Sequence, residues 1–276
     1  MLLYRKYCTL LSASAVAAMV LGFPIEIFAE GKFIVPSAEY ATIPAAMLKA
    51  RAGDTVLVKK GVYTGPFFIG TGVVMVSETP GQAILEGKGQ KNVVTMPGMA
   101  EIAGFEVRKG SVGIFSRGAG NRITGCRIVR NWQTGIVCIG HLPKIENNVI
   151  AYNGGSGIQG YKVRATVYPA ILYNTIAYNA NHGIAVGGTS NIGIHNNIIA
   201  FNERFGVKIS DDESAIKLES NSIFGNGTQI KDASGKNFDL DPTFVAPRKL
   251  DFTLAGNSPC KGKSSDGKDL GVNVAH

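Results

Sequence analysis

Charged residues are scarce in this chain, at 17% of the sequence, and so are the side chains most often used for catalysis. There are four histidines, His141, His182, His195 and His276, and they are scattered. There are four cysteines and a single tryptophan. Cys8 lies in the first few residues, so Cys126, Cys138 and Cys260 remain for a folded body. An odd number excludes a fully paired disulfide framework and points to buried thiols acting as small apolar groups. No nucleotide-binding loop, zinc spacing or nucleophile elbow is present, and Gly187-Gly188 lacks the strand–loop–helix setting that phosphate binding needs. The apolar run Leu10 to Phe23 is broken by Pro24 and Glu26 before reaching the ~20 residues a bilayer requires.

That run follows Arg5 and Lys6 and precedes the small residue Ala29, the layout of an export signal over residues 1–29. The expectation is a secreted or periplasmic protein, monomeric and without a transmembrane anchor once the signal is cleaved. The chain carries a formal net charge of +8, and it stays basic after residues 1–29 are removed. For an exported protein that balance favours an acidic polysaccharide or anionic cell surface as partner, rather than nucleic acid.

Glycine is abundant, with 35 residues, which implies many tight turns. The ordering principle is a repeat. Asn148-Val-Ile-Ala-Tyr-Asn153, Asn174-Thr-Ile-Ala-Tyr-Asn179 and Asn197-Ile-Ile-Ala-Phe-Asn202 each lead to Gly-Ile or Gly-Val, at Gly157, Gly183 and Gly206. The second asparagine advances by 22, 26, 23 and 24 residues from Asn131 to Asn226. Such a period suits one coil of a solenoid with three short strands, each coil stacked about 4.8 Å above the last. Alternation puts Ile145, Asn148, Ile150 and Ile158 inside. Asn148, Asn174, Asn197 and Asn221 are expected to form an inward amide ladder, because an amide both donates and accepts. The glycine before each Ile or Val is expected to permit a sharp bend. Tyr152, Tyr178 and Phe201 fall in register and read as a packed corner stack. The helical pattern at residues 42–52, with Thr42 as N-cap and Ile43, Met47, Ala46 and Ala50 facing inward, reads as a cap over the open core.

After that helix come Gly53-Asp54-Thr55-Val56-Leu57-Val58 and Gly61-Val62-Tyr63. Near the end stand Asp241-Pro242-Thr243-Phe244-Val245, Asp251-Phe252-Thr253-Leu254, Ser258-Pro259-Cys260 and Asp269-Leu270-Gly271. On these segments the chain resembles the pectate-lyase-like superfamily over about residues 40 to 273. The resemblance implies an all-β fold, a right-handed parallel β-helix with a short N-terminal capping helix. The expected organisation is a signal at 1–29, an N-terminal segment with the helix at 30–54, the solenoid at 55–235 and an extension packing on it at 236–276. The superfamily holds lyases, hydrolases, epimerases and non-catalytic proteins, so the resemblance specifies fold more than activity.

In the lyases of that fold an open outer face carries the substrate groove. Here the outward row beside the Gly-Ile positions is Phe115, Val137, Gln159, Ala185, Lys208 and Lys231. The flanking turns add Trp132, His182, Glu203 and Arg204 on one side, and Tyr161, Lys162, Arg164 and residues 211–213 on the other. Gln159, Tyr161, Lys162, His182 and Lys231 are the candidate substrate-binding residues. For β-elimination on a uronic acid polymer, Lys208 or Arg204 would serve as base, with Asp211, Asp212 and Glu213 holding Ca²⁺ against the substrate carboxylate. Against this, Asp211-Asp212-Glu213-Ser214-Ala215 lacks the later aspartate of the calcium-dependent lyase motif. Neither the aspartates and histidine of polygalacturonases nor the Asp-Pro-His-Glu motif of alginate epimerases is present. Binding of polysaccharide without turnover, and a structural or adhesive role without a sugar ligand, are the readings that need none of these motifs.

Overall fold

The computed structural model describes residues 31–89, 91–188, 192–210, 216–228 and 236–272. The chain winds repeatedly through three parallel sheets, visiting each once per coil. The first sheet runs from Lys32–Val35 through Thr55–Val58 to Ile216–Glu219. The second runs from Gly61–Thr64 to Ser222–Phe224, and the third from Phe67–Phe68 to Val207–Ile209. The solenoid ladder therefore begins at Lys32–Val35, ahead of the helix, because that strand pairs in parallel with Thr55–Val58.

Like stacks on like, as the repeat requires. Ile128, Ile150, Ile176, Ile199 and Ile223 occupy one inward column of the second sheet. Ile114, Ile136, Ile158, Ile184 and Val207 form the equivalent column of the third. All are buried, and each such side chain contributes roughly 1.5–3 kcal/mol relative to exposure. Cys126 and Cys138 are buried free thiols in the same core, and Cys260 is a buried free thiol of the C-terminal segment, on the side facing the solenoid. Burial pushes the Cys126 thiol up to about 12.

Two amide ladders run along the solenoid. In the expected one, Asn148, Asn174, Asn197 and Asn221 donate from both backbone N and Nδ2 to the next Oδ1, and Asn237 continues the series. Asn131, Asn153, Asn179, Asn202 and Asn226 form a second with the same pattern. The residue before each ladder asparagine turns the corner in the left-handed region, for example Asn147, Tyr152, Tyr173, Tyr178, Asn196 and Phe201, with φ from 54° to 57°. That conformation strains a non-glycine residue, and the saturated amide behind it is what holds the corner.

The glycines before Ile or Val have a different cause from the bend expected of them. None of Gly113, Gly135, Gly157, Gly183 and Gly206 has a left-handed φ. A Cβ on Gly135 would instead stand 2.7 Å from Gly157 O and 2.9 Å from Asn153 Nδ2. Glycine is needed there because the ladder amide passes too close for any side chain.

The helix, α1 (Ile43–Met47), is shorter than the expected 42–52. Thr42 caps it, Ile43 and Ala46 are buried, and Met47 and Ala50 pack partly against the core. Leu48 is already the C-cap, since the Ala46 carbonyl accepts from both Lys49 and Ala50 and tightens the last turn. At the other end, Phe244–Ala246 and Asp251–Leu254 form an antiparallel pair. Phe252 packs on Val129, Val149, Ala151 and Ala177, which point outward from the second sheet, while Cys260 and Leu270 cover Ile198 and Ala200. Tyr152, Tyr178 and Phe201 stack face to face at 5.1 and 5.0 Å beside the same apolar cover. The row is a packed corner, as expected.

Candidate functional site

The C-terminal segment covers the outer face of the second sheet, whereas the outer face of the third sheet carries exposed aromatic, aliphatic and cationic side chains. Strand alternation sends Ile136, Cys138, Ile158 and Val207 inward, so the residues between them face out. The ladders place Phe68, Thr95, Phe115, Val137, Gln159, Ala185 and Lys208 in a single outward row. A second outward row, two residues on, is Arg117, Ile139 and Tyr161. Tyr161 thus belongs to the strand Ile158–Ala165, not to a flanking turn as the sequence suggested. Tyr161 is 55% exposed.

Gln159 is half-buried, while Lys208 is exposed one coil beyond Ala185. Ala185 lies between them with a methyl only 2% exposed, which leaves a shallow floor flanked by an amide and an ammonium. From Gln159 to Lys208 is two inter-strand steps, about 10 Å. Lys162 is exposed at a left-handed position, φ 49°, where the strand register shifts between Gly160 and Val163. Arg204 is exposed in the turn entering Val207–Ile209, beside Glu203.

His182 is a correction. The sequence placed it in a flanking turn as a candidate substrate-binding residue, but it is only 6% exposed. Its Nδ1 accepts from the Phe205 backbone N at 3.2 Å, and its ring packs against Phe205. Burial, then the nearby Lys208 and Arg204 cations, holds its pKa below the ordinary imidazole value. It serves as a neutral acceptor that fixes the turn on which Arg204 sits. His195, one coil further on, belongs to the first sheet, with Tyr168 Oη 3.1 Å from its Nε2.

Asp211, Asp212, Glu213 and Lys231 lie outside the described residues. Among the described residues, no group of three or more His, Cys, Asp or Glu side chains comes together in a way that could hold a metal ion. Ile139 and Arg117 were overlooked in the sequence, although the alternation in Ile136–Leu142 already placed Ile139 outward. Chemically, the face offers a flat ring, an amide that donates and accepts, a cation on a strand at Lys208 and a second in the adjoining turn at Arg204. That set can hold a hydroxylated, negatively charged chain laid along the solenoid.

A family model described as a right handed beta helix region matches residues 93–244, more than half of the chain. No curated protein matches. Among solved structures, the mannuronan C-5 epimerase A-module of Azotobacter vinelandii is 17% identical, with 69% of this chain and 67% of that one covered and a TM-score of 0.46. An alginate lyase from Paenibacillus sp. is 14% identical, covering 75% of this chain and 98% of that one, at a TM-score of 0.40. A pectate lyase is also 14% identical, covering 90% and 97%, at 0.41. No helix among the described residues is long and apolar enough to cross a membrane.

Proposed function

The chain belongs to the right-handed β-helix family, and on that footing we propose that the outer face of its third sheet binds an acidic polysaccharide without cleaving it. The observation that carries this reading is the outward row of half-buried Gln159 and exposed Lys208, with exposed Tyr161 in the adjacent row and Arg204 in the neighbouring turn. Amide, aromatic ring and cation stand on one rigid surface, and the chain's net positive charge adds a long-range attraction for polyanions. The export expected from residues 1–29 belongs to the same reading, since it would deliver the protein to where such polymers occur.

The test is calorimetric titration with oligogalacturonate, oligoalginate and a neutral glucan of matched length. Binding is expected for the acidic chains alone, weakening as salt rises. Lys208→Gln combined with Arg204→Gln should weaken it about tenfold, two charge-assisted contacts being removed. Equal affinity for the neutral glucan, or an unaffected double variant, would overturn the proposal.

A further inference from the structure

Trp132 is the only tryptophan in the chain, and it is 71% exposed. It does not stand on the third-sheet face but on the ridge of turns that leads into it. Its backbone N donates to Gly110 O, and Gly89 N donates to Lys109 O, so Gly89 lies two coils toward the N-terminus. Yet the indole reaches that far. A Cβ on Gly89 would lie 3.6 Å from Trp132 Cε2 and Cζ2 and 4.0 Å from Cδ2. The ring is therefore laid along the solenoid axis and rests against Gly89, with most of its surface open to solvent.

Gly89 is flanked in sequence by Lys88 and followed by Lys91, both exposed. These two lysines, with Thr64, Gly65 and Pro66, line a cleft of about 330 Å³. Neither lysine enters an ion pair among the described residues, whereas neighbouring Lys109 is held by Glu86, itself also paired with Arg108. Glu86 is thereby neutralised, and its carboxyl is held below the usual range by Lys109 and Arg108. Trp132 does not line the cleft itself, but its ring rests on Gly89, the neighbour of Lys88, so the cleft's two ammonium groups and an open aromatic face adjoin at that glycine.

We infer that this cleft is a second carbohydrate subsite, which takes a uronic acid residue with its ring on Trp132 and its carboxylate between Lys88 and Lys91. The C–H face of a pyranose is apolar enough to cover an indole, while the carboxylate accepts from the ammonium groups. An aromatic platform alone would accept neutral sugars, and two lysines alone would accept any anion. Together they select an anionic sugar. The inference rests on the acidic-glycan reading of the third-sheet face, but it concerns different residues, three to six coils removed from Arg204 and Lys208.

The single tryptophan makes the subsite directly observable. Oligogalacturonate should produce a saturable change in Trp132 emission, and a neutral oligosaccharide of the same length should not. Lys88→Gln with Lys91→Gln should raise the fluorescence-detected Kd about fivefold, and Trp132→Ala should weaken calorimetric binding by a similar factor. Far-ultraviolet circular dichroism should be unchanged, since all three side chains are exposed. If calorimetry reports binding that depends on Arg204 and Lys208 while emission and the lysine variant stay as wild type, the subsite is wrong and the sheet-face reading stands. Emission that responds and depends on Lys88 and Lys91, with no effect of Arg204 or Lys208, supports the subsite and removes the sheet face. Silence in both measurements, or the same emission change with the neutral sugar, overturns the subsite.

Discussion

Asn197 donates to the Oδ1 of Asn221 twice, from its backbone N at 3.0 Å and from its Nδ2 at 2.9 Å. Its own Oδ1 accepts the same pair of bonds from Asn174, and its Nδ2 also reaches the carbonyls of Ile171 and His195. Asn197→Ala strips partners from buried groups on both neighbouring coils. The expected loss is about 1–3 kcal/mol in urea denaturation. Asn197→Asp should cost more, because the carboxylate keeps the acceptor that Asn174 uses but brings negative charge against two carbonyls and the Asn221 Oδ1. Wild-type stability in either variant would mean that the ladder is not structural.

The recurring glycines give a sharper test, because their role is proximity and not conformation. Gly135→Ala places a methyl against Gly157 O, Asn153 Nδ2 and Ile150 Cγ2, all within 2.9 Å. Overpacking of that kind costs roughly 1–3 kcal/mol. Gly256 has open space around its missing Cβ and no left-handed φ, so Gly256→Ala should stay within about 0.5 kcal/mol of wild type. Equal melting midpoints for the two variants would contradict the close approach.

Legibility in the sequence followed the period. Spacing of about one coil was enough to locate the isoleucine columns and the first amide ladder, because identical environments recur and identical residues fill them. The same spacing carried the second ladder, Asn131 to Asn226, whose inward direction was not drawn. Corner residues such as Tyr152 and Tyr178 were opaque, since nothing in a tyrosine announces a left-handed φ that the next residue's amide must hold, whereas the asparagine at Asn147 tolerates that conformation. Val149, Ala151 and Ile198 were opaque for another reason. They face outward yet are buried by Phe252, Leu270 and Cys260, a contact across long sequence separation that local alternation cannot express. The site divided likewise: the Gln159–Ala185–Lys208 row was readable from alternation. The burial of His182 depends on Phe205, one coil away, and was not.

Acid should loosen the turn that carries Arg204. The pKa of His182 is depressed by burial and by Lys208 and Arg204. The pKa of His195 is depressed by burial, with Lys217 and Lys236 adding to the effect and Glu219 opposing it. An unfolded histidine takes up its proton near pH 6.5, about the ordinary value. Between that pH and the lower native pKa the unfolded chain holds more protons, so stability rises with pH through this window and is lost as pH falls. Urea midpoints should therefore drop below about pH 6.5, and His182→Gln should make that drop shallower. NMR titration should give His182 a midpoint under 6.5, moving upward in Lys208→Gln. A His182 midpoint above 6.5 would reverse the expected sign.

The last expectation separates binding from chemistry. β-Elimination on a polyuronate needs a base for the proton beside the carboxylate and a cation to take up the charge that develops there. Lys208 and Arg204 are exposed on or beside one face and could supply the base. Calcium would need several oxygen ligands, for which Asp211, Asp212 and Glu213 are the candidates in the sequence. The third-sheet row approaching Lys208 begins with Phe68, Thr95, Phe115 and Val137, an uncharged and mostly apolar surface that favours adhesion over stabilising developing charge. The protein with added calcium is therefore expected to release no unsaturated product from pectate or alginate, judged by the ultraviolet absorbance of the new conjugated double bond. It should still bind both polymers. Turnover that EDTA abolishes, and that Lys208→Ala or Arg204→Ala lowers by roughly 10²-fold, would establish a calcium-assisted lyase instead. Turnover surviving both EDTA and the double substitution would place the chemistry elsewhere on the solenoid and leave Lys208 and Arg204 as binding groups.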